Sequence, residues 1–185
     1  MIVHLYDLKE NREIELNQLK KTISNFENLL EDNFKIQQYN WLLASSQIND
    51  VTLIRLIDEK SFHFKSLLNS RKIIFYIEAG MCTFCLDKEL QNVTQLIDLV
   101  GKNNVIVVAK EFSKKYLLNE NKFSEFKELI YLAKAEIYTH HNLSDTPSLA
   151  LVNEKGDIQH SYHASKNSNK HFDLFHDFLK SSYYQ

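Results

Sequence analysis

The sequence predicts an α/β domain, a central mixed sheet flanked by helices, preceded by a helical N-terminal extension. Three observations predict it. A buried strand, Ile73-Ile74-Phe75-Tyr76-Ile77, runs through a turn at Ala79-Gly80 into a helix opened by Cys82-Thr83-Phe84-Cys85. A second continuous apolar run, residues 104–109, follows that helix. Residues 9–47 contain neither glycine nor proline and are rich in Leu, Glu, Lys, Asn and Gln. Short apolar runs bounded by turn residues suit strands buried on both faces, and a strand–helix–strand connection within one sheet is right-handed with its strands parallel.

Composition narrows the classes. The chain has 185 residues, 44% of them hydrophobic, enough for one domain of ordinary size plus an appendage. A net charge of −2, with Lys and Arg scattered, excludes the basic footprint of a nucleic-acid-binding protein. No run of 18 apolar residues is present to span a membrane, and the first residues, MIVHLYDLKENREIEL, lack the apolar stretch of a signal peptide. The expectation is either cytoplasmic residence or a targeting segment already removed. Two cysteines at CxxC spacing cannot make a disulfide scaffold.

Taken in order, residues 1–49 form the extension and 50–185 the domain. Leu16, Leu19, Ile23, Phe26 and Leu30 follow a 3-4-3-4 spacing that lays an apolar stripe along a helix. That helix packs on the domain or forms a short stalk, with homodimerisation through residues 9–47 as the alternative. Phe34, Ile36, Tyr39, Trp41, Leu42 and Leu43 make a second apolar set, assigned to another helix or a helix end. Val51 to Leu56 and Ser61 to Phe64 flank Asp58-Glu59-Lys60 as a β-hairpin. Residues 65–70 form a helical turn into the central strand. The helix after the cysteines carries Leu86, Leu90, Val93, Leu96 and Ile97 to about Val100, where Gly101 stops it. Residues 112–132 read as a helix with Phe123, Phe126, Leu129 and Ile130 inward, 136–138 as a brief strand, and 140–146 as a loop. The sole proline, Pro147, precedes the strand 148–152. Asn153 to Asp157 is a turn in which Gly156 supplies a positive φ, and 158–163 pairs back antiparallel. Ser168 caps a last helix, 171–180, with Phe172, Phe175, Phe178 and Leu179 on one face, and the final residues fray.

The cysteines point to chemistry. A helix N-terminus presents unpaired N–H groups and about half a positive charge, which favours thiolate, the reacting species in disulfide exchange. The order hairpin, strand, CxxC helix, strand, helix, Thr146-Pro147 strand, turn, strand, helix resembles thioredoxin-fold proteins. From about Asp50 to Lys180 the chain is most similar to the TlpA/ResA-like thiol–disulfide oxidoreductases of bacterial cell envelopes. The resemblance implies a thioredoxin-like fold with an N-terminal β-hairpin, Cys82 as the attacking thiolate and Cys85 as the resolving cysteine. It also implies a substrate-facing surface of Met81, Thr83 and Phe84, and a cis Pro147 whose neighbour Thr146 offers its backbone to an extended substrate segment. No cofactor is implied beyond the redox-active Cys82–Cys85 disulfide. The implied partners are protein thiols or disulfides and a redox partner protein. The implied location is the envelope or periplasm, with a membrane anchor missing from a trimmed chain; cytoplasmic residence is the alternative.

The chain departs from the pattern in places. Met81 stands where thioredoxins carry Trp, Tyr76 where they keep a buried Asp, and Lys88 where TlpA/ResA-like members carry Glu, with Glu89 next. Glu78 and Glu89 are the proton-transfer candidates, against the ordinary reading of each as a solvated charge. A structural zinc site needs four ligands. The adjacent His140-His141 offers two, and His141, in the loop before Pro147, also resembles copper-chaperone variants of the fold. With no second CxxC and no histidine pair at zinc-finger spacing from the cysteines, no metal is expected. A peroxidase reading fails locally, because peroxiredoxin-like chains place Pro and Thr ahead of their cysteine, where Phe75 and Ala79 stand here. The competing class is a non-catalytic thioredoxin-fold module for binding or metal handling, or one holding a permanent disulfide.

Overall fold

A computed structural model describes residues 2–44, 46–77, 80–81, 83–137, 147–164 and 169–183. The chain divides into two units, Met1–Gln38 and Tyr39–Gln185. The first is built from one helix, α1 (Ile2–Ala44), which also takes in the second apolar set rather than breaking before it. Forty-three residues without Gly or Pro give the helix no place to stop, and an i,i+4 ion pair between Lys35 and Glu31 (2.7 Å) supports its outer face. Among the described residues, no helix is long and apolar enough to cross a membrane.

The second unit is a seven-stranded mixed sheet. Its strands are β1 (Thr52–Arg55), β2 (Ser61–His63), β3 (Lys72–Ile77), β4 (Val105–Lys110), β5 (Ile130–Ala133), β6 (Ser148–Val152) and β7 (Ile158–His163), in the spatial order β2-β1-β5-β4-β3-β6-β7. β3 lies parallel to β4 and antiparallel to β6, and β4 lies parallel to β5. The anticipated hairpin is β1–β2, where the Arg55 guanidinium grips Asp58 and stacks over the Phe62 ring at 5.2 Å.

Both faces of the sheet are covered, which is why β3 and β4 are continuous apolar runs. Ile73, Phe75, Ile77, Val105, Val107, Leu149 and Leu151 pack on one side with α2 (Thr83–Val100) and α4 (Asn169–Tyr183). Ile74, Tyr76, Ile106, Val108, Ala150 and Val152 pack on the other with Phe64, Leu68 and Ile158. Burying one such large side chain is worth roughly 1.5–3 kcal/mol, and Phe75 and Phe175 are fully buried. Gly101 ends α2 at φ 85°, its N–H donating to the Ile97 carbonyl at 2.8 Å; Asn104 Nδ2 donates to the Val100 carbonyl at 2.7 Å. In the turn before β7, Asn153 Oδ1 accepts the N–H groups of Lys155 and Asp157, both at 2.9 Å, and Gly156 sits at φ 88°. The backbone of Ile48 donates to Gly156 O and that of Asn49 to Ile137 O, so residues 48–49 are bound to the sheet unit.

Four expectations are corrected. Residues 112–132 are not one helix: 3-10 turns flank a short α3 (Lys114–Asn119), and 130–132 belong to β5. Phe123, Phe126, Leu129 and Ile130 do all face the core, Ile130 from a strand between β4 and β1. The three-residue spacing that suggests an α-helical face is equally that of a 3-10 helix. Glu136 and Ile137 are not in a strand; Ile137 is buried and serves instead as a backbone acceptor. On α4, Phe172, Phe175 and Leu179 are buried while Phe178 is 37% exposed beside the His160 ring. The helix also runs on to Tyr183, past the point where fraying was expected.

These assignments set a test. Phe123→Ala should cost about 3–5 kcal/mol in urea unfolding, the range for emptying a buried aromatic site, whereas Leu118→Ala, one residue before the end of α3 and 45% exposed, should stay within about 0.5 kcal/mol.

Candidate functional site

β3 ends at Ile77 and α2 begins at Thr83, so the CxxC motif occupies the strand-to-helix junction. Cys82 itself lies outside the described residues, as do Glu78 and Ala79; it directly precedes the first residue of α2. Cys85 is in the first turn and buried at 2% exposure. Thr83 is exposed, Phe84 is 63% exposed, and Met81 is buried among the residues of the Phe64 side of the sheet. Of the intervening pair and its neighbour, then, Thr83 and Phe84 face solvent and Met81 does not.

Glu89 lies one helical turn beyond Cys85, on the same buried side of α2, and is 1% exposed. Its carboxylate accepts two hydrogen bonds, from Tyr162 O–H at 2.8 Å and from Asn92 Nδ2 at 3.1 Å. Burial pushes the Glu89 carboxyl above its ordinary range, and those two donors hold it back only in part. Tyr162 comes from β7, with its ring held against Phe172 and Phe175 of α4 at 6.2 Å each. The ordinary reading of Glu89 as a solvated charge is thereby overturned. The signal was in the spacing: Glu89 falls between Cys85, Leu86, Leu90 and Val93 on the apolar stripe.

Pro147 is buried next to the start of β6, and its carbonyl accepts the Ala164 N–H at 2.9 Å. Thr146, its bond to Pro147, and the histidines His140 and His141 lie outside the described residues. The register Tyr76↔Ser148↔His163 carries a row of three buried polar residues across β3, β6 and β7, one residue short of Pro147 and of the β3 end. The Ser148 hydroxyl is buried without a hydrogen-bond partner among the described residues. Desolvation pushes His163 down to about 4. Sequence reasoning missed both Tyr162 and His163, because Ile-Gln-His-Ser-Tyr-His looks like a half-exposed edge strand. An open groove of about 560 Å³ runs beside the motif along α2, lined by Thr83, Asp87, Gln91, Thr94, Lys122 and Phe126, with Lys122 and Asp87 paired across it at 2.7 Å.

No protein-family model matches the chain, and no curated protein matches it in sequence. Among solved structures, the chain is similar to a thiol:disulfide interchange protein from Bacteroides sp., at 16% identity and a TM-score of 0.50, over 75% of this chain and 90% of that one. It is likewise similar to AhpC from Enterococcus faecalis, at 12% identity and a TM-score of 0.51, over the same shares of the two chains. The fold is thioredoxin-like. The end of β3, the Pro147 entry to β6 and the end of β7 meet at one end of this sheet.

His163 gives this site a pH signature. Its folded value lies below the ordinary 6.5, so the unfolded chain binds the proton first and stability falls as the pH drops from about 6.5 towards 4. The loss should total roughly 3 kcal/mol by pH 4, read as urea midpoints across that range. His163→Gln should remove about that much of the acid dependence; a variant with an unchanged pH slope would show that His163 is not the group responsible.

Proposed function

We propose that this chain is a thiol–disulfide oxidoreductase of the TlpA/ResA-like type, acting on protein disulfides or dithiols in the cell envelope. The observation that supports it is the arrangement around Cys85: a buried cysteine in the first turn of α2, three residues after Cys82 in the sequence, with a buried, hydrogen-bonded carboxyl one turn further on.

In the reducing direction, the Cys82 thiolate attacks one sulfur of a substrate disulfide. A Cys82–substrate disulfide forms and the other substrate sulfur leaves as thiolate. Cys85 gives its proton to the Glu89 carboxylate and attacks the Cys82 sulfur, forming the Cys82–Cys85 disulfide and releasing the second substrate thiolate. The substrate gains two electrons, which a dithiol redox partner restores to the protein. A carboxyl raised by burial is a better proton acceptor near neutral pH than a solvated one, and Tyr162 and Asn92 hold it in place. Exposed Phe84 and the backbone before Pro147 supply contacts to an extended substrate segment. The envelope fits because disulfides form and persist in oxidising compartments.

Insulin reduction tests the assignment. Wild type should be active, Cys82→Ser inactive, and Cys85→Ser should accumulate a mixed disulfide seen on non-reducing gels. Glu89→Gln should slow resolution roughly 10²-fold at neutral pH and flatten its pH profile. Wild type and Cys82→Ser equally inactive, with Cys82 alkylating no faster than a free thiol, would sink the enzyme reading.

A further inference from the structure

Residues 16–34 of α1 carry a row of apolar side chains that stands open to water. Leu16, Leu19, Ile23, Phe26 and Leu30 are 53, 61, 50, 64 and 65% exposed. Their 3-4-3-4 recurrence assigns Leu16, Ile23 and Leu30 to the a positions of a heptad repeat and Leu19 and Phe26 to the d positions. From Leu16 to Lys35 the outward positions of the same repeat are polar: Asn17, Ser24 and Glu31 at b, Gln18 and Asn25 at c, Lys21, Asn28 and Lys35 at f. Leu29 and Phe34, 39% and 60% exposed, fall at g and e and widen the row. A helix of this kind gains most of its stability from covering its apolar face, and patches of this size on a protein surface mark interaction sites.

We propose that α1 pairs with α1 of a second copy of this chain, as a parallel, in-register two-stranded coiled coil. Size permits it. Seven large side chains per chain, at on the order of 100 Å² each, bring two copies into the roughly 1,200–2,000 Å² range of stable association. Charge and shape along the flanks select the direction. In a parallel pair each g residue meets the e residue five positions later on the partner helix. That sets the Glu15 carboxylate against a Lys20 ammonium, Thr22 against Glu27 and Leu29 against Phe34, so no like charges meet along either edge. An antiparallel pair in the register that sets Ile23 on Phe26 matches g with g instead, laying Leu29 beside Thr22 and Leu16 against Asn33.

Sedimentation equilibrium of the full chain at micromolar concentration should give a dimer. Leu19→Glu/Phe26→Glu should be monomeric, with near-ultraviolet circular dichroism of the thioredoxin-like unit unchanged. Glu15→Lys should weaken dimerisation roughly tenfold and Glu15→Lys/Lys20→Glu should restore it, a rescue that a folding defect would not show. In a Cys82→Ser/Cys85→Ser background, Leu16→Cys should cross-link to itself on oxidation. A monomeric wild type, including one that binds lipid vesicles instead, would overturn the proposal. So would a dimer that survives Leu19→Glu/Phe26→Glu, or a dimer in which Leu16→Cys does not cross-link.

Discussion

β3 is hydrogen-bonded along both edges, parallel to β4 and antiparallel to β6, in a register that decides which residues meet at its C-terminal end. The pairing Tyr76↔Ser148 brings the entry of β6, and with it Pro147, beside the strand that leads into the cysteines. The next pairing, Ser148↔His163, fixes β7, so Tyr162 on the other face of the sheet points at α2 and reaches Glu89. Slipping the register by one residue would turn Tyr162 away from Glu89 and present His163 to the helix. The geometry of the site is therefore a property of strand pairing first and of side chains second.

Two buried titratable groups flank that end of the sheet with opposite pH behaviour. Neutral His163 opposes acid, as a group that must take up a proton where none is welcome. Glu89 opposes alkali: its raised folded value means that the stability it contributes is present below its ordinary range and is lost as the pH rises through the folded value. A carboxyl that costs stability at neutral pH is an unusual thing to keep on an apolar stripe between Leu86 and Leu90. Its retention is understandable if proton transfer at Cys85 is what it supplies.

Much of this was legible in the chain. The hairpin about Asp58, the βαβ unit through the cysteines, the Gly101 stop and the Gly156 turn were readable because each rests on local chemistry, alternation, helical spacing or a required positive φ. β5 was not, because Ile-Tyr-Leu-Ala follows a 3-10 stretch whose buried residues recur at nearly helical spacing, and only pairing with β4 and β1 makes it a strand. Of the site, the cysteines and Pro147 stood out by scarcity. Glu89 was named but given the wrong surroundings, and its donor Tyr162 went unnamed, since that contact joins residues 73 apart in the chain.

That separation has a consequence for how the fold is reached. The hairpins β1–β2 and β6–β7 and the β3–β4–β5 run each join near neighbours along the chain, whereas β1–β5 and β3–β6 each close loops of about 70–80 residues. Loop closure of that length is a slow, entropically opposed event, so such pairings are the late ones. Cys85 and Glu89 belong to the β3–β4–β5 segment and Tyr162 to the β6–β7 hairpin. Cys85 thus takes its place on α2 early, in a chain that still exposes it to solvent. The Glu89 carboxyl, one turn further on, acquires its burial and its Tyr162 hydrogen bond only when β6 docks on β3. The order of assembly places thiol chemistry within reach before the fold has enclosed it.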